Sequence, residues 1–281
     1  MKILITGASG QLGHALREQL ESKHELLATD IEDLDIRDLA QVREVMGEYK
    51  PDSVIHLAAM TQVDICETQP DRAYDINALG TRYVALAAAE VGAELIYIST
   101  DYVFDGQGTR PYQPYDNRSP LNVYGWSKLG GERVIETLLP RHYILRTSGL
   151  FGLGGSSFVS AIESIYRRDG AVKVVADQSC RPTYAGHLAR AISRIVGSGN
   201  FGAYHVASTG ETSWFEFARA IVEAFGGDAE AVAPLSSAEF VRPATRPAYS
   251  VLNTRSFEQT FGYMLPHWRE GLEHYFGQRG E

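Results

Sequence analysis

The sequence predicts an α/β protein: a Rossmann-type doubly wound parallel sheet, followed by a smaller mixed carboxyl-terminal substrate lobe. Three observations predict it. Short β-branched apolar runs alternate with helical stretches through the first half of the chain, the pattern of right-handed βαβ units. A Gly7-x-x-Gly10-x-x-Gly13 run stands between the first strand and the first helix. Residues suited to a ligand recur where the strands end, the edge at which open parallel sheets bind.

Lys2-Ile3-Leu4-Ile5-Thr6 reads as a buried parallel strand. Behind the glycines, Ala15, Leu16 and Leu20 have helical spacing. In that setting Gly7 permits the turn, Gly10 lets the backbone approach a pyrophosphate, and Gly13 lets the helix lie close to its strand. A second strand, Glu25 to Thr29, ends in Asp30. A carboxylate there suits the ribose hydroxyls of NADH and repels the extra phosphate of NADPH. No arginine follows directly, so the expectation leans to NADH, with Arg37 the cation that could reverse it. Asp35 either accepts a hydrogen bond from the adenine or caps the helix beginning near Asp38.

That helix runs to about Tyr49 and leads to the strand Ser53 to Leu57, in which His56 reads as a core residue. Ala58-Ala59-Met60 follows, small enough at first to admit a cofactor. A long helical stretch from about Pro70 to Val91 is interrupted at Asn77, near Gly80. The strand Leu95-Ile96-Tyr97-Ile98 ends in Ser99-Thr100-Asp101. After a loop from Phe104 to Pro120, a helix starting near Asn122 carries Tyr124 and Lys128, with Gly130-Gly131 as its weak spot. The strand His142 to Arg146 closes the series. Beyond Ser148 glycines multiply and the elements shorten. The chain divides into a dinucleotide-binding domain over 1–148 and a mainly substrate-binding lobe over 149–281, some segments of which return to the first.

Tyr124 and Lys128 are four apart, so on a helix they share a face. A neighbouring ammonium lowers the pKa of a phenol from about 10. The pair can then give or take a proton near neutral pH, which reducing a ketone or oxidising an alcohol requires. Thr100, at a strand end beside it, is a hydroxyl for a carbonyl oxygen. Trp126 reads as a packing residue.

The formal net charge of -9 argues against a nucleic-acid partner. The amino terminus enters a strand without a signal peptide, and no apolar run is long enough to span a bilayer. Cys66 and Cys180 lack C-x-x-C spacing and read as free thiols of a reducing compartment. No ligand cluster with metal spacing is present. A cytoplasmic, metal-free protein with no membrane partner, monomeric or homodimeric, is the expectation.

The glycine run, Ser99-Thr100-Asp101 and Tyr124-x-x-x-Lys128 together resemble an extended short-chain dehydrogenase/reductase. Ser99-Thr100-Asp101-Tyr102-Val103-Phe104, Ser119 through Gly125, Arg146-Thr147-Ser148, Arg246 through Leu252 and Phe261 through Trp268 resemble dTDP-4-dehydrorhamnose reductases over essentially the whole chain. The resemblance implies reduction of the C4 ketone of dTDP-4-dehydro-L-rhamnose to dTDP-L-rhamnose with NADH or NADPH, the last step of that sugar's synthesis. It implies Tyr124 as proton donor, Lys128 on the nicotinamide ribose and Thr100 on the carbonyl oxygen. Asp101, Tyr102 and Gly149 would meet the sugar. Gly7, Gly10, Gln11, Leu12, Gly13, Asp30, Asp35, Ile36, Ala58, Ala59, Met60, Ile98, Tyr124 and Lys128 would hold the cofactor. Two positions depart from the family: Gly149 stands where a tryptophan is usual, and Cys180 where a glycine is. Arg181 is either a pyrophosphate contact or a surface ion pair. Family members that hold magnesium use an acidic residue just after the glycine turn, where His14-Ala15 stands here, so no metal is expected. Competing expectations are another nucleotide-sugar 4-ketoreductase or epimerase of the same fold, and a non-catalytic NADP-binding regulatory subunit like that of methionine adenosyltransferase.

Overall fold

The computed structural model describes residues 1–279. In the first half, strands β1 (Lys2–Thr6), β2 (Glu25–Thr29), β3 (Ser53–His56), β4 (Glu94–Thr100) and β5 (His142–Thr147) alternate with helices. These are α1 (Gln11–Leu20), α2 (Leu39–Tyr49), α3 (Val63–Thr68), α4 (Pro70–Tyr74), α5 (Thr81–Val91) and α6 (Val123–Leu138). The second half runs β6 (Leu150–Phe151), α7 (Phe158–Asp169), β7 (Val172–Val175), β8 (Ser179–Cys180), β9 (Thr183–Tyr184), α8 (Ala185–Ile195) and β10 (Gly202–His205). It ends with β11 (Thr212–Ser213), α9 (Trp214–Ala224), β12 (Val232–Leu235), α10 (Arg255–Phe261) and α11 (Trp268–Arg279).

Six strands pair in parallel in the order β10-β5-β4-β3-β1-β2. The chain leaves β1 for β2 on one side and returns to β3 on the other, which opens a crevice at the carboxyl ends of β1 and β3. Successive residues of a strand point to opposite faces and so set the layers. Ile3 and Ile5 pack with Leu12 and Leu16 of α1 and with Leu188 and Ile192 of α8. Leu4, between them, packs with Val42 and Met46 of α2 and Val84 of α5. Thus α8 and β10, although they follow residue 148, complete the sheet unit. A separate apolar core joins Phe151, Ile162, Val174, Phe217, Val232, Trp268 and Tyr275 from β6, α7, α9, α11 and the paired strands β7 and β12.

The long helical stretch, expected to be interrupted at Asn77, is broken there. A π turn over Asp75–Gly80 lies between α4 and α5, and such turns mark functional sites more often than chance. The cause is Asn77, fully buried within it. Its amide accepts the Met60 N–H at 2.8 Å and donates to the Met60 carbonyl at 3.0 Å and to Ser127 Oγ at 2.9 Å. The widened turn carries that side chain onto the segment after β3 and onto α6. Helix α3 has no counterpart in the sequence reading, because its six residues carry no periodic apolar stripe. No helix among the described residues is long and apolar enough to cross a membrane.

Candidate active site

The crevice begins at the glycine turn. Gly7 stands at φ 69°, and a Cβ there would fall 2.7 Å from the Ala58 backbone nitrogen. A Cβ on Gly13 would fall 2.3 Å from the Ala8 carbonyl oxygen. Only glycine fits either place, and the cradle so formed is lined by backbone. No side chain caps α1 at Gly10, so the leading N–H groups of Gln11, Leu12 and Gly13 are free for an anion at the positive helix end. Gln11 Oε1 is buried without a partner, while Nε2 donates to the Ser156 carbonyl at 2.9 Å. Bare donors, a backbone floor and an orphaned amide oxygen fit a dinucleotide.

Asp30 accepts from the Ser9 N–H at 3.0 Å and the Ile31 N–H at 2.8 Å. Burial opposes its charge, but these bonds outweigh it and hold the carboxyl below its usual range. It is ionised and ties the glycine turn to the end of β2. Asp35 does not cap the helix. Arg37 grips its carboxylate, Nε at 2.9 Å and Nη2 at 2.6 Å, and pulls its pKa down. The helix cap is Asp38, whose Oδ1 accepts the Ala40 and Gln41 N–H groups. Leu12 and Ile36 turn their side chains into the two cores, so only their backbone can meet a ligand. Ala58 and Ala59 are half-buried beside Gly7, Met60 is held by Asn77, and Ile98 is half-buried on β4.

Helix α6 brings the chemistry. Asn122 caps it, accepting the Gly125 N–H at 2.9 Å. A Cβ on Gly125 would fall 2.2 Å from the Tyr102 carbonyl oxygen, so glycine there seats the first turn on the segment after β4. Tyr124 and Tyr102 meet edge to face, centroids 5.9 Å apart. One turn on, Lys128 is buried, its ammonium 4.1 Å from the centre of the Tyr97 ring.

The protonation states correct the expectation drawn from the Tyr-Lys spacing. Burial pushes the Tyr124 phenol well up, with Thr100 pulling it partly back. Burial drives Lys128 down to about 7, against the pull of Glu132. Both shifts have one cause, the cost of a charge in an apolar site. A neutral phenol in this site is a proton donor rather than an acceptor.

Thr100 ends β4. Its hydroxyl donates to Asp101 Oδ1 at 3.0 Å and accepts the Tyr102 N–H at 3.2 Å. Asp101, expected to touch a sugar, is buried beneath Thr100 and accepts from Ser148 Oγ at 2.7 Å. Burial raises its pKa against the pull of Ser250, Ser148 and Thr100. Its geometry is that of a support for Thr100. Gly149 has φ 53°, and a Cβ there would lie 3.2 Å from the Trp214 ring. Cys180 is buried and its thiol pushed far up by burial. Arg181 makes no surface ion pair among the described residues: Nη1 donates to the Leu252 carbonyl at 2.9 Å and Nε is buried without a partner. His56 is neutral, lowered to about 3 by burial, between Thr6 and Thr81. Trp126 is partly exposed, near Arg133.

Sequence reasoning missed two supports of the site. Asn77 was seen only as an interruption. Glu132 and Arg146 form a fully buried ion pair beside Lys128. A carboxylate four residues after the lysine, on the same helix face, was the available signal.

The cradle at the sheet edge and the gathered Thr100, Tyr124 and Lys128 define an oxidoreductase of the extended short-chain dehydrogenase/reductase class, dependent on a nicotinamide cofactor. The family model described as "RmlD substrate binding domain" matches residues 1–279. A dTDP-4-dehydrorhamnose reductase of Mycolicibacterium smegmatis is 42% identical, with 97% of this chain and 84% of the relative covered. The spore coat polysaccharide biosynthesis protein SpsK of Bacillus subtilis is also 42% identical, over 99% of this chain and 98% of its own. The crystal structure of dTDP-4-dehydrorhamnose reductase from Bacillus anthracis in complex with NADP superposes with a TM-score of 0.96 at 40% identity, covering 99% of both chains. The chain belongs to the dTDP-4-dehydrorhamnose reductase family.

Proposed function

We propose that the protein reduces the C4 ketone of dTDP-4-dehydro-L-rhamnose to dTDP-L-rhamnose, the last step in making that nucleotide sugar, in the cytoplasm. One observation carries the reading: a half-buried Tyr124, its phenol pushed up and neutral, shares the sheet edge with the buried Thr100 and Lys128, beside a cradle fitted to a dinucleotide. The nicotinamide cofactor, when bound, supplies the hydride. Gly7, Gly10 and the first turn of α1 would hold its pyrophosphate, Asp30 the adenosine ribose, and Ala58, Ala59 and Ile98 would line its path. Tyr124 gives its proton to the C4 oxygen. Thr100, whose hydroxyl rests on Asp101, turns its one proton from that carboxylate to the C4 oxygen as charge develops there. Lys128 holds the nicotinamide ribose. Asp30, ionised and with Arg37 engaged elsewhere, favours NADH over NADPH.

A second reading, another nucleotide-sugar 4-ketoreductase, is favoured by Gly149, which offers a sugar no side chain. A regulatory subunit is disfavoured by the intact Thr100, Tyr124 and Lys128. The test follows NADH consumption by the purified protein with dTDP-4-dehydrorhamnose, then with Tyr124→Phe. Loss of turnover in the variant with cofactor still bound supports the assignment. Full activity in it overturns it.

A further inference from the structure

The carboxylate of Glu132 takes no part in the proton transfer proposed above, yet it is the most heavily bonded group beside the site. It lies on α6 one turn beyond Lys128 and is fully buried. Oε1 accepts from Ser99 Oγ at 2.5 Å and from Arg146 Nε at 2.8 Å. Oε2 accepts from Arg146 Nη2 at 2.8 Å and from Arg118 Nη1 at 2.9 Å. A carboxylate offers about four lone-pair positions, so all are filled. Arg146 in turn donates to the Pro114 carbonyl at 2.9 Å, fixing the loop ahead of α6.

Two of the three donors come from strands that hold part of the site, and the third, Arg118, comes from the loop ahead of α6. Ser99 precedes Thr100 on β4, and Arg146 precedes Thr147 and Ser148 at the end of β5. A salt bridge placed only for stability has a poor return here, because burying both ions costs several kcal/mol, much of what their attraction returns. A buried, fully bonded network is instead suited to fixing one arrangement among others.

We propose that Glu132 is a positioning residue: through Ser99 and Arg146 it locks helix α6, with Tyr124 and Lys128, in register with the ends of β4 and β5, which carry Thr100 and Ser148. The inference rests on the proposed roles of those four residues. It deepens that reading, since a displacement of about 1 Å between reacting groups can cost 10²-fold in rate.

The test separates register from fold. Glu132→Gln alone strands a buried guanidinium, so the main variant is the double one, Glu132→Gln with Arg146→Met, which removes both charges at similar volume. Ser99→Ala is its companion, because it keeps the ion pair and cuts only the link to the strand of Thr100. Both are compared with wild type for kcat and for KM of each substrate, and a cofactor titration reports whether the cradle is intact. Expected is a fall in kcat of about tenfold or more in the double variant and severalfold in Ser99→Ala, with cofactor affinity near that of wild type. A wild-type kcat in Ser99→Ala overturns the inference, as does one in a folded double variant. A loss confined to thermal stability is the outcome of a merely structural pair and also overturns it. Wild-type turnover of dTDP-4-dehydrorhamnose tests the underlying reading separately. If another 4-keto nucleotide sugar is the one reduced, the same ratios of variant to wild type are read on that sugar.

Discussion

Replacing Lys128 with methionine should stabilise the protein, and the gain should vanish as the pH rises. The lysine titrates at about 7 in the fold against 10.5 as a free side chain. Between those values the unfolded chain holds a proton that the folded one has released, so stability rises with pH across that window. The sign is opposite to that of a lysine gaining a carboxylate partner. Below the window both states are charged, and the fold bears the whole cost of the buried ammonium. At 1.36 kcal/mol for each pKa unit, that cost is about 4 kcal/mol at pH 7 and under about 1 kcal/mol at pH 10. Methionine fills a similar volume and carries no charge. Urea denaturation of wild type and Lys128→Met at both pH values gives the four free energies needed, and subtraction cancels every other titrating group. The expected difference between the two ΔΔG values is about 3 kcal/mol, with the variant favoured at pH 7. A ΔΔG independent of pH would show that Lys128 keeps its ordinary affinity for protons. The upward shift of the Tyr124 phenol, which has the same origin, would then lose its basis.

Three further outcomes follow from the same geometry. Asp30→Ala should lower kcat/KM for NADH about tenfold while leaving NADPH little changed or improved, since it removes a ribose acceptor and a repulsive charge together; parallel kinetics with both cofactors reads the ratio. Gly13→Ala must push α1 off the Ala8 carbonyl, 2.3 Å from its new Cβ, so thermal melts should show a loss of about 1–3 kcal/mol and titration a weaker cofactor complex. Cys66, raised to about 11 by burial, and Cys180 should resist a thiol reagent in the native protein at pH 8 and react fully in urea, as mass spectrometry would show.

Much of this site was legible before folding because its signals are local. Three glycines between a strand and a helix, an Asn at the start of α6 and a tyrosine four residues before a lysine each act within one turn of chain. The register of six parallel strands then carries those turns to one edge. Asp35 and Asp38 show the limit of that reasoning. Asp35 is the residue the sequence offers as a possible cap, but the cap is Asp38, and Arg37 holds the Asp35 carboxylate. Gly130-Gly131, a weak spot by helix propensity, is a contact surface instead: a Cβ on Gly131 would fall 2.5 Å from the Tyr97 hydroxyl.

By itself, then, the sequence determined the βαβ order, the glycine cradle and the identity of the groups that gather at the sheet edge. Only the tertiary structure decided their states. It buried Lys128 one turn beyond a half-buried Tyr124, set Asp101 beneath Thr100, and enclosed Glu132 with Arg146. Those outcomes depend on neighbours 14 to 47 positions away along the chain, and on the loss of water around a charge, which no local spacing encodes.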